Sequence, residues 1–174
     1  MDDEHRTGDG DEETDGEEAD GERTDGRFLV THADDDSAVL QDVETSGVHT
    51  LSENPSLETG DVLEATITPE PPMEVTWQVD TIETKRHLSV EESPEPPTKQ
   101  TQTVAHNQAV GEFTRRERAG EGEIHVLTVP EEGTEAAVED VVDDEATLLR
   151  AARLGVRRVE VRHEPGIVSV RYLP

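Results

Sequence analysis

Residues 156–173 read "VRRVEVRHEPGIVSVRYL", two runs in which Val, Ile and Tyr alternate with charged or small residues around Pro165 and Gly166. A period of two marks a strand with one apolar face, and a Pro-Gly pair between two such runs fits a tight turn. Folding about that turn sets Val161 against Val170, Val159 against Tyr172 and Glu160 against Arg171. Apolar residues then meet apolar ones and opposite charges meet each other, which is the favourable cross-strand arrangement. The C-terminal segment is expected to be an antiparallel hairpin.

Working upstream, "TEAAVEDVVDDEATLLRAARLG" (134–155) has a helical period. Val138, Val142, Leu149 and Ala152 fall close to one stripe, although Asp143 and Asp144 suit the cap of a second helix. Gly155 suits a left-handed stop after Leu154. With the strand "EIHVLTV" (123–129) before it, the C-terminal part reads as a β-α-β-β unit. Its first two strands would pair in parallel, if adjacent, by a right-handed crossover.

The stretch "TKQTQTVAHNQAVGEFTRRERAGEGE" (98–123) places Val104, Ala105, Ala109 and Phe113 on an apolar stripe, which predicts a mostly helical segment ending near Gly120. Gly111 weakens that helix by about 1 kcal/mol relative to alanine. Arg115, Arg116 and Arg118 would then sit near its C-terminus, where cations suit the helix dipole. Before it, residues 91–98, "EESPEPPT", read as a Pro/Glu linker.

Residues 27–90 carry short β-type runs: "RFLVTHA", "SAVLQDV", "GVHTLS", "DVLEATIT" and "MEVTWQVDTI". Five strands in so short a stretch predict a small barrel of the oligonucleotide-binding or SH3-like type. Alternation in "MEVTWQV" puts Trp77 on one face with Met73, Val75 and Val79, a core position. The fold class is therefore α+β: a small five-stranded β-barrel, a linker, then an α/β C-terminal domain over 99–174 that opens with a helix and closes with the β-α-β-β unit.

Charge divides unevenly along this plan. Residues 1–26 hold 13 acids and 2 bases, residues 27–97 hold 16 and 3, and residues 98–174 hold 14 and 10. The first segment has a single apolar side chain after Met1, Ala19, too little to offset the cost of ordering a chain, so a disordered acidic tail is expected. The barrel is as acidic as the tail, so the net charge of −28 is partly a property of the whole protein. Arg outnumbers Lys thirteen to two, and only two Phe and one Trp are present. Such a composition suits the cytosol of an extreme halophile, because molar salt cuts the Debye length to about 3 Å and screens self-repulsion.

The segments "LVTHADDDSAVLQDV", "HTLSENPSLETGDVLEATITPEPPMEVTW", "GEIHVLTVPEE", "DDEATLLRAARLGV" and "VSVRYLP" resemble an uncharacterised family of small acidic haloarchaeal proteins, a domain of unknown function. The resemblance runs from about Gly26 to Pro174. It implies a haloarchaeal origin and brings no catalytic residue with it.

The chemistry in the sequence is sparse. With no cysteine, disulfides and thiolate metal sites are excluded. No apolar run reaches the roughly 20 residues of a membrane span and the start lacks a signal-peptide pattern, so a soluble cytoplasmic protein without membrane contact is expected. There is no phosphate-binding glycine loop, no G-x-S-x-G, no H-E-x-x-H and no dinucleotide fingerprint. The seven histidines lack metal-ligand spacing, and Asp34, Asp35 and Asp36 read as a hydrated turn. No catalytic residue, metal site or cofactor is expected.

Two functions remain. One is a non-enzymatic binding or adaptor module for a protein partner. The other is RNA or ribonucleoprotein binding through arginines, with Arg150, Arg153 and Arg157 at i, i+3 and i+7 on a helical face and Arg158 and Arg162 on the next strand. Guanidinium groups suit bidentate phosphate recognition, and they equally suit pairing with nearby acids. The barrel, with three bases against sixteen acids, is a poor candidate for nucleic acid.

The acidity makes one prediction directly. The melting temperature should rise from dilute buffer to about 3 M KCl as screening removes self-repulsion. Deleting residues 1–25, a change of +11 in net charge, should narrow that rise, and melts across a salt series check both statements.

Overall fold

The computed structural model describes residues 22–174, so most of the expected acidic tail lies outside the described residues. Strand β1 begins at Thr24, within the stretch read as tail, and runs to Ala33. It is followed by β2 (Ala38–Asp42), β3 (Val48–Leu51), β4 (Asp61–Pro69) and β5 (Trp77–His87). These close a barrel in the order β1-β2-β3-β5-β4, with β1 antiparallel to β4 and β3 touching β5 in parallel at Leu51 and Trp77. That is the Greek-key order of the oligonucleotide-binding barrels, one of the two types expected.

Period-two alternation fills the barrel. Phe28, Val30, Leu40, Leu51, Leu63, Ala65 and Ile67 point inward and pack with Ala38 and Leu57. Trp77 and Val79 pack against the same cluster, half-buried, and the indole lies 4.5 Å from the His49 ring. Met73 and Val75 do not share that face. Both are exposed and precede β5, because the chain turns at Pro71–Glu74 and the strand starts only at Trp77.

The rest of the chain builds a second sheet from β6 (Ser89–Glu92), β7 (Phe113–Glu117), β8 (Glu123–Thr128), β9 (Arg158–Glu164) and β10 (Ile167–Leu173). Its order is β6-β9-β10-β8-β7. The C-terminal hairpin has the expected register, with Val161 opposite Val170, Val159 opposite Tyr172 and Glu160 opposite Arg171. β8 and β9 are not adjacent, because the hairpin inserts β10 between them, and the parallel pair is instead β6 with β9. Glu91 and Glu92, read as linker, are therefore strand residues.

Three helices cover this sheet: α1 (Lys99–His106), α2 (Thr134–Asp143) and α3 (Glu145–Leu154). The helix expected to reach Gly120 stops at His106. The backbone leaves the helix at the Asn107 cap, Gly111 then takes φ +91° in the turn that follows, a conformation open to glycine, and Phe113–Glu117 joins the sheet as its edge. Arg115, Arg116 and Arg118 accordingly lie on and just after an edge strand, where charged side chains discourage unwanted pairing. The long α2–α3 segment does divide at Asp144. Its extended backbone ends α2, and its carboxylate accepts from the Ala146 amide at 3.0 Å to cap α3.

One apolar cluster joins barrel and sheet. Leu29, Val43, Val62 and Leu88 lie on the outside of the barrel and are buried with Ala151, Ala152, Val156, Val159 and Val170. In "RFLV" the run is unbroken because both faces of β1 are buried: Phe28 and Val30 inward, Leu29 outward against α3. Leu29→Ala should therefore cost about 2–5 kcal/mol and lower the melting of barrel and sheet together. Circular dichroism and Trp77 fluorescence should give one coincident transition in both proteins.

Candidate functional site: a cleft between the sheet edge and helix α3

The register of β10, β8 and β7 lays out a floor. Val168, Leu127 and Phe113 form one row across the three strands, then Val170, His125 and Arg115, then Tyr172, Glu123 and Glu117. These residues share the face covered by α2 and α3, but the helices leave β7 and the outer part of β8 open. The result is a cleft of about 390 Å³ walled by Val141, Asp144, Thr147, Arg150 and Arg153. Phe113 stands at its rim with 59% of its surface exposed. The rings of Phe113 and His125 are 6.2 Å apart and those of His125 and Tyr172 4.8 Å apart, so aromatic surface runs along the floor.

At the polar end Glu123 is buried and held from three sides. Arg150 engages both carboxylate oxygens through Nε and Nη2, His125 Nε2 lies 2.9 Å from Oε2, and Arg115 Nε stands farther off at 3.6 Å. Burial alone would raise this carboxyl's pKa. The hydrogen bonds and charges of Arg150 and His125 outweigh burial and hold it below the usual carboxylate range. Burial also lowers the His125 pKa, with Glu123 opposing and Arg115 and Arg150 reinforcing, so the imidazole favours its neutral form. The Tyr172 hydroxyl is pushed upward by burial and keeps its proton.

Local sequence explains the placement. Gly122 sits at φ +98°, and a Cβ there would lie 2.0 Å from the Tyr172 carbonyl oxygen, so only glycine fits where the β7–β8 turn meets β10. That contact sets Glu123 beside Tyr172. On the opposite wall, the Asp144 cap starts α3 so that Arg150 reaches down to β8.

The five arginines read from sequence do not form one surface. Arg150 and Arg153 line the cleft. Arg153 also reaches the barrel, donating from Nε to the Val43 carbonyl at 2.5 Å. Arg157 and Arg158 are exposed at the entrance to β9. Arg162 lies on the other face of the sheet, where it meets Glu160 and Glu95, each at 2.5 Å. Alternation along β9 separates it from the helix: Val159 and Val161 face α2 and α3, so Arg158 and Arg162 cannot.

Reasoning from sequence missed Glu123, His125, Tyr172, Phe113 and Arg115 as a group. A signal was present in "EIHVLT", where both alternating faces carry apolar residues, so that Glu123 and His125 must find partners inside. Elsewhere, Asp61 Oδ1 meets His87 Nδ1 at 2.9 Å with Glu58 nearby, a trio that ties the start of β4 to the end of β5. Asp34, from the acidic turn, accepts from the amides of Asp36 and Ser37 at 2.9 and 2.7 Å and so serves its own loop.

Residues 24–163, which include the barrel and most of the cleft, match a family model described as "Family of unknown function (DUF5812)". The chain belongs to this family. No curated protein and no solved structure matches the DUF5812 chain. No described helix is long and apolar enough to cross a membrane.

Glu123→Gln in this DUF5812 protein should cost about 1–3 kcal/mol at neutral pH, since it leaves Arg150 without its ionic partner. The sign with pH follows from the lowered carboxyl: its contribution is complete above the unfolded value, about 4.3, and is lost as pH falls through the folded one. The difference between wild type and variant in urea melts should thus shrink below about pH 4.

Proposed function

We propose that this protein is a non-enzymatic binding protein, an adaptor of a halophile's cytosol that presents the cleft between β7, β8 and α3 to a protein partner. The observation that carries the reading is the exposed Phe113 ring at the rim of a preformed cavity whose polar groups are already oriented. Rigid, amphipathic contact area of that kind is what concentrates binding energy at protein interfaces. The net charge of −28 supports the halophilic setting.

Catalysis fits the same groups poorly. A general base needs a carboxylate or imidazole whose basicity is kept near the working pH, and Glu123 is instead clamped by Arg150 and His125. The RNA reading loses its arginine face, because Arg150, Arg153 and Arg162 are engaged by Glu123, the Val43 carbonyl, and Glu160 with Glu95. Arg157 and Arg158 alone make a small footprint for phosphates.

Affinity capture at molar salt, with and without nuclease, tests the proposal when wild type is run beside Phe113→Ala. A protein retained after nuclease and lost in the variant is the expected result. Recovery that depends on intact RNA, is abolished by replacing Arg150, Arg153, Arg157 and Arg158 with Gln, and ignores Phe113 would establish the opposite reading.

A further inference from the structure

We propose that the cleft takes a monocarboxylate carried on a compact apolar body, with Arg115 and the Tyr172 hydroxyl as the two anchors of the carboxylate. This rests on the reading of the cleft as the binding surface and adds the chemistry of its occupant.

Tyr172 points to a ligand first. The residue is 3% exposed and lines the cavity, and its hydroxyl makes no hydrogen bond to any described residue. That oxygen is not among the sealed polar atoms of the interior, and the residue that carries it lines the cleft. A buried ring that brings an unpartnered, protonated hydroxyl to a cavity wall offers a donor to whatever fills the cavity.

Arg115 supplies the charge. Its side chain is half-exposed, and its contact with Glu123, at 3.6 Å, is too long for a hydrogen bond. Arg150 already satisfies Glu123, so the Arg115 fork can turn to an incoming carboxylate, whose planar geometry it matches. Around the cleft the guanidinium groups of Arg115, Arg150 and Arg153 are matched by the carboxylates of Glu123, Glu117 and Asp144, so this neighbourhood is balanced on a chain that is −28 overall. One carboxylate can sit on the Arg115 fork there, whereas a dianion such as a phosphate monoester would bring excess charge next to Glu123.

The other end selects an apolar body. Phe113, Leu127, Val141 and Val170 form it, and the volume of about 390 Å³ suits a group the size of one large amino acid. Two sources present a carboxylate in this form: a free organic acid, or the last residue of a partner chain lying along the open edge of β7, where its backbone finds strand partners.

N-acetyl-leucine and its neutral primary amide are the probes, followed through the ring resonances of Tyr172, the single tyrosine of the chain. The acid should shift those resonances saturably and bind at least about tenfold more tightly than the amide. Arg115→Gln should remove that preference, bringing the acid down to the affinity of the amide, and a cooperative melt of the variant checks that it is folded. Affinity for the acid should also fall in Tyr172→Phe, as read by calorimetry. Equal binding of acid and amide, an acid preference that survives Arg115→Gln, or no saturable shift in Tyr172 would overturn the proposal. A third probe, a short peptide ending in Leu with a free carboxylate, separates the sources: tighter binding than N-acetyl-leucine assigns the site to a chain end, and equal binding assigns it to a free acid. Should Phe113→Ala lose a protein partner while N-acetyl-leucine leaves Tyr172 unmoved, the binding surface stands and the carboxylate falls.

Discussion

Everything on the cleft side of the molecule hangs on how α3 seats against the barrel. Ala151 and Ala152 are fully buried there, and their small side chains bring the helix backbone close to Leu29, Val43 and Val62. Arg27 Nη1 and Arg86 Nη2 both donate to the Ala152 carbonyl, at 3.5 and 3.2 Å, placing two cations where the helix dipole is negative. Burial, and then the nearby charge of Arg27, lower the Arg86 pKa, and Glu64 beside Arg27 offsets part of that repulsion. Arg153 answers from the helix by reaching the Val43 carbonyl. With its C-terminal turn locked in this way, α3 has one angle over the sheet, and that angle delivers Arg150 to Glu123.

The parts of the structure legible in the sequence are those set by local alternation and turns. The Pro165–Gly166 hairpin is one: its register follows from a two-residue period that leaves a single pairing with every Val inside. The barrel strands are another, since "DVLEATIT" turns Leu63, Ala65 and Ile67 inward at every second position, with Val62 buried on the other face. The stripe of Val104, Ala105, Ala109 and Phe113 misleads because a helix followed by a turn and a strand can place apolar residues at the same spacing as a longer helix. The helix ends at the Asn107 cap and the chain turns through Gly111, and neither residue type announces that conformation in the sequence. The cleft was less legible still. Phe113, Glu123 and Tyr172 come from three strands brought together by long-range pairing, and a lone Glu among 43 acids carries no mark of its burial.

Barrel and cleft illustrate that a fold does not carry a function with it. The strand order is that of barrels used elsewhere for oligonucleotides, yet its outer surface is acidic, and part of it is spent on packing α3. The binding surface proposed above lies instead on the second sheet, where Arg115, Arg150 and Arg153 line the cleft. In a chain this acidic, such a gathering of arginines stands out more than any motif.

The Gly122 contact bears on how sequence length can drift. The turn at Arg118–Gly122 is pressed against the Tyr172 carbonyl, so one residue gained or lost there would slide β7 against β8 by one position. Because neighbouring strand residues face opposite ways, that slide would turn Phe113 and Arg115 out of the cleft and bring Thr114 and Arg116 in. The loop at Asn107–Glu112 is tied to β8 as well, by the Gly111 amide on the Thr128 carbonyl and the Gln108 side chain on the Val126 carbonyl, but nothing lies within 4 Å of a Cβ at Gly111. The Arg118–Gly122 turn, wedged against backbone, is thus the place where the length of the chain fixes which face of β7 looks into the cleft.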